Sequence, residues 1–92
     1  MNDEGVNDGV DAEIQRAISG DAVAALTMAA LLRGDLQALG PAEELALTSR
    51  DRQVVAIARA HLAGDSELVD ALARDHLVTF PDSLIVSWIA AR

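Results

Sequence analysis

The chain contains no cysteine, no lysine and no tyrosine, and Phe80 and Trp88 are its only aromatic side chains. Without cysteine there are no disulfides, thiol nucleophiles, zinc thiolates or iron–sulfur clusters. The scarcity of aromatics weighs against a sheet, where such side chains concentrate. The longest mostly apolar run, Ala22 to Leu32, covers 11 residues with Thr27 inside it. Spanning a bilayer takes ~20 residues. The start of the chain is acidic and polar, the reverse of a basic secretory leader. These absences predict a soluble, cytoplasmic protein.

The 92 residues suffice for one domain. A composition of 51% apolar and 24% charged residues is that of a globular chain. Alanine and leucine supply about a third of the residues, which favours close helix packing. The net charge of −8 opposes nucleic acid and anionic membranes as partners. Asp3, Glu4, Asp8, Asp11 and Glu13 concentrate five of the negative charges in the first 13 residues. Residues 1–9 are predicted to be a flexible acidic tail, and 10–92 a single helical-repeat domain. A calcium loop around Gly9 fails because Val6 and Gln15 stand where oxygen ligands are needed.

Apolar residues recur at helical spacing along the rest of the chain. Val10, Ile14, Ala17 and Ile18 predict a helix from Val10 to Ile18, stopped by Ser19-Gly20. Asp21 then caps a helix from Ala22 to Arg33 that is apolar nearly all round and is expected mid-bundle. Gly34 ends it and Asp35 caps the next element, which Gly40-Pro41 interrupts. Ser49 or Asp51 is expected to cap a helix from Arg52 to Ala63. Asp65-Ser66 caps another from Glu67 to Val78, and Asp82 or Ser83 a last one from Leu84 to Ala91.

Gly-Asp occurs at 20–21, 34–35 and 64–65, and each doublet is expected to turn one helix into the next. A shift of 30 places Ala30, Leu32, Gly34, Asp35, Leu47 and Ala60 on identical residues. A helical hairpin of that length is the unit of α-solenoids. Gly64 and Pro81, 17 apart, with Asp65, Glu67 and Leu77, match the pattern of tetratricopeptide repeats. Val69, Ala73 and His76 depart from it, and the aromatics of the first helix are missing. The order Leu-Arg-Gly-Asp at 32–35, Ser49 to Val54, Leu62 to Asp65, Asp75-His76-Leu77 and Pro81-Asp82 resembles the bacterial tetratricopeptide repeat protein 38-like family over about residues 25–88. That resemblance implies an α-α superhelix and protein binding, and it carries no catalytic residue.

His61 and His76 are the only histidines, and neither has carboxylates at metal-binding spacing on its own helix face. Both are expected to be structural, so no metal or cofactor is expected. No nucleophile elbow, phosphate loop or dinucleotide fingerprint is present. The polar stretch Ser49-Arg50-Asp51-Arg52-Gln53 offers Arg50, Arg52 and Gln53 as partner-binding residues. Its simpler reading is capping, with the arginines paired to Glu43 and Glu44. The last helix offers Leu84, Ile85 and Trp88, because Ser83, Ser87 and Arg92 are its only polar positions.

The fold expected is all-α, with five to six helices forming antiparallel hairpins in a short right-handed superhelix. A closed bundle is the alternative. The function expected is non-enzymatic binding of a protein or peptide, including a second copy, through a helical groove or the terminal apolar helix. The alternative is a small acidic regulator acting as a decoy through its N-terminal tail.

Overall fold

The computed structural model describes residues 20–92. The predicted helix Val10–Ile18 and the tail 1–9 lie outside the described residues. Helix α1 takes residues 20–33. A 3-10 turn, Leu36–Leu39, leads into α2, Gly40–Leu45; then come α3, Ser49–Leu62, α4, Ser66–Thr79, and α5, Leu84–Ala90. No strand occurs among the described residues, and none of their helices is long and apolar enough to cross a membrane.

Two of the three Gly-Asp doublets are helix corners built alike. At the first, Gly34 N–H donates to Leu31 O and Asp35 N–H to Ala30 O. At the second, Gly64 N–H donates to His61 O and Asp65 N–H to Ala60 O. This crossed pair satisfies carbonyls left over at a helix end and needs a left-handed residue at the corner. Gly34 and Gly64 supply it, with φ of 65° and 79°. Each aspartate then starts the next element: Asp35 Oδ1 accepts from Gln37 N–H and Asp65 Oδ1 from Leu68 N–H. The third doublet behaves differently. Gly20 and Asp21 are already helical, so Asp21 lies inside α1 and does not cap it.

Pro41 sits in the first turn of α2, where its missing N–H would have no helical partner anyway. The helix thus restarts at Gly40-Pro41, as the breaker predicts. The cap of α3 is Thr48, with extended backbone and a hydroxyl that accepts from Asp51 N–H at 3.0 Å. The expected caps Ser49 and Asp51 are instead the first and third residues of the helix. Thr48 precedes them in the extended conformation, so its oxygen reaches the orphan N–H first.

Helices α3, α4 and α5 pack against one another, and α3 also meets the 3-10 turn and α2. Their shared core contains Leu39, Ile57, Ala58, Ala73, Val86 and Ile89, with Ala30 and Leu31 from α1. Val23 of α1 forms a second cluster with Ala42, Ala46 and Val55. Buried Val54, Val55, Ile57, Ala58 and Ala60 make α3 the central helix. The sequence had pointed to α1 for that place. Instead α1 buries Val23, Thr27, Ala30 and Leu31 while Ala24, Ala25, Ala29 and Leu32 are exposed, Leu32 at 72%. An all-apolar helix favours dry surroundings on every side, but these elements cover only one side of it.

Candidate functional site

The side of α1 that the other described residues leave uncovered adjoins α5. Ala24, Ala25 and Met28 line a groove of about 440 Å³ with Leu84, Ile85 and Trp88. These α1 positions fall at i, i+1 and i+4, and Leu32 continues the stripe one turn on, which helical geometry places on one face. The groove extends into a second cavity of about 500 Å³ that shares Ala24, Leu84 and Ile85 and adds Gly20, Asp21, Arg50, Asp51 and Asp82. Gly20 and Asp21 therefore lie near Leu84, and Met28 lies near Trp88. The two helices run side by side in the same direction.

Leu84 opens α5 and is 84% exposed. Val86 and Ile89, on the other side of this short helix, are buried. That division anchors α5 in the core and leaves Leu84, Ile85 and Trp88 facing the groove. Trp88 is half-buried and held from two directions. The His61 ring meets it edge-on at 6.3 Å between centroids, and the Arg92 guanidinium lies 4.0 Å from its ring centre. The tryptophan is thus positioned without being covered, which spares a ligand part of the cost of ordering it.

The far end of the groove is charged. Arg50 donates to Asp82 Oδ1 at 3.4 Å and also lies over the Phe80 ring, 4.9 Å from its centre. Asp51 carries its carboxylate beside Gly20: a Cβ built on that glycine would stand 3.5 Å from Asp51 Oδ2. Three carboxylates and one guanidinium line this end.

Of the residues that the sequence nominated, Arg50, Leu84, Ile85 and Trp88 line this continuous groove. Arg52 and Gln53 do not. Arg52 Nε–H donates to Ala46 O at 3.3 Å, near α2. Gln53 Oε1 lies 2.8 Å from His76 Nδ1, between α3 and α4. Consecutive helical residues turn by about 100°, so Arg50 and Arg52 point to nearly opposite sides of α3. The expected pairing of these arginines with Glu43 and Glu44 is also displaced. Arg59 takes Glu43, Nε to Oε2 at 2.8 Å, and Arg50 takes Asp82.

The two histidines sit in different surroundings. His61 contacts Trp88 as described. His76 is 2% exposed and stacks against Phe80 at 5.0 Å between centroids. Because Gln53 Oε1 only accepts, His76 Nδ1 is the donor and Nε2 keeps its lone pair. That Nε2 is buried without a hydrogen-bond partner among the described residues. Burial holds the His76 pKa below its ordinary 6.5, and the Arg50 charge adds to the effect. Among the described residues no three histidine, aspartate or glutamate side chains group so as to hold a metal ion.

The contribution of Ala24, Ala25, Met28 and Leu32 escaped the sequence reading. Its one signal was the missing polar face of α1. In comparisons with family models, curated proteins and solved structures, nothing matches this chain.

Proposed function

We propose that this chain is a non-enzymatic interaction module of the cytoplasm, a short right-handed superhelix of tetratricopeptide-like hairpins. It binds a segment of another protein in the groove between α1 and α5. The duplicated helix stop, 30 residues apart at Ala30–Asp35 and Ala60–Asp65, supports the hairpin-repeat part. One observation carries the binding part. Leu84 stands 84% exposed beside a half-buried tryptophan, on a face that α1 extends with Met28 and Leu32. A contiguous apolar patch of this kind marks an interaction site, and tryptophans dominate the energy of such sites.

The test is selection of helical peptides from a display library on the pure chain, followed by measurement of each against Leu84→Asp. Selected peptides are expected to lose at least about tenfold in affinity on the variant. Peptides that bind both proteins equally, or no enrichment at all, refute the groove as the binding site.

A further inference from the structure

Resting on that reading, we infer that the groove's occupant is an amphipathic helix of another protein with a cationic end. It lies antiparallel to α1 and α5, with its Lys or Arg residues against Asp21, Asp51 and Asp82. Two neighbouring helices leave a trough that takes a third helix through apolar anchors at i, i+3, i+4 and i+7. The floor here is apolar from Ala24 to Leu32 and from Leu84 to Trp88. The α1 stretch rises about 12 Å and the α5 stretch about 6 Å, which suits about two turns of a partner helix.

The charge is confined to one end. Asp21, Asp51 and Asp82 face a single guanidinium, Arg50, and that guanidinium is already paired with Asp82. The opposite end, at Trp88, carries Arg92. A cationic terminus is therefore favoured at the Asp21 end and disfavoured at the Trp88 end. Helices favour Lys and Arg in their last turn, where the dipole is negative. A partner with its basic residues in that turn reaches the carboxylates only when it runs opposite to α1. A second copy of this chain fits less well. Each copy carries −8, so the two repel.

The experiment uses three labelled 16-residue helical peptides with one leucine stripe, titrated into the full chain by fluorescence anisotropy. One has two arginines in its last turn, one has two glutamates there, and one has two arginines in its first turn. The peptide with C-terminal arginines is expected to bind about tenfold tighter than its glutamate twin at low salt, from two surface charge pairs, and the gap is expected to shrink at high salt. Asp21→Asn with Asp51→Asn should close most of that gap, and Leu84→Asp should abolish binding of all three. Circular dichroism checks that the variants fold. Equal binding by all three peptides, still lost on Leu84→Asp, overturns the cationic partner and leaves the groove as a binding site. Tightest binding of the peptide with N-terminal arginines overturns the orientation. Absence of any binding overturns both readings. A dimer in sedimentation that Leu84→Asp converts to monomer assigns the groove to a second copy and likewise overturns the proposal.

Discussion

Three glycine-to-alanine substitutions should differ in sign, and the structure sets each magnitude. Gly34 and Gly64 hold φ of 65° and 79°, and a Cβ at either would meet nothing within 4 Å. The penalty there is conformational alone. Placing an L-residue in the left-handed region costs about 1–2 kcal/mol. Alanine also narrows the unfolded ensemble, which offsets about 0.4–1 kcal/mol of it. Gly34→Ala and Gly64→Ala should each destabilise by about 1 kcal/mol, the difference of those two figures. Gly20 shares the same doublet sequence but is helical. A Cβ there would lie 3.5 Å from Asp51 Oδ2, an ordinary contact. Gly20→Ala should therefore not destabilise, and should stabilise by up to about 1 kcal/mol, because helical backbone costs glycine more than alanine. Urea denaturation with a shared m-value reads all three, and a change of 1 kcal/mol moves Tm by about 4–8 °C in a domain of this size. If Gly20→Ala destabilises as much as Gly64→Ala, the first doublet is also a corner and the account of α1 is wrong. If Gly64→Ala is neutral, the left-handed corner is wrong.

Thr27→Val removes a fully buried hydroxyl that has no hydrogen-bond partner among the described residues; stability should rise by about 1–3 kcal/mol in urea melts, and a loss would reveal a partner for the oxygen. His76 binds its proton less readily folded than unfolded, because burial, and secondarily Arg50, lowers its pKa. The unfolded chain takes up that proton first as pH falls through 6.5, so His76 should cost stability below that pH and nothing well above it. Wild type minus His76→Gln, followed by urea melts between acid and neutral pH, isolates this slope; parallel curves would count against it. Leu39→Ala empties a fully buried position in the 3-10 turn and should cost about 2–5 kcal/mol by the same assay. Leu84→Asp, at an exposed first helical position, should change stability by less than about 0.5 kcal/mol, and a larger loss would mean that the residue belongs to the core.

The elements themselves were legible because breakers and apolar spacing agree at α3, α4 and α5. Gly34-Asp35 and Gly64-Asp65 read as corners and are corners. Gly20-Asp21 is the same dipeptide with a different outcome, since glycine accepts helical and left-handed backbone alike. Two residues alone do not encode which of the two states the chain adopts. The cap of α3 slipped to Thr48 because three of four successive residues, Thr48, Ser49 and Asp51, carry capping oxygens. The division of Arg50, Arg52 and Gln53 between different sides of α3 follows from helical rotation once the helix start is known. The place of α1 was hidden for another reason. Hydrophobicity states that a face avoids water; it does not state whether the same chain covers it.

Trp88 has a consequence for anyone handling this protein. With one indole and no tyrosine, ultraviolet emission excited at the indole band comes from a single spot, the mouth of the trough between α1 and α5. Its intensity and colour register filling of that trough directly. The molecule therefore carries its own optical titration signal, and no dye need be attached to it.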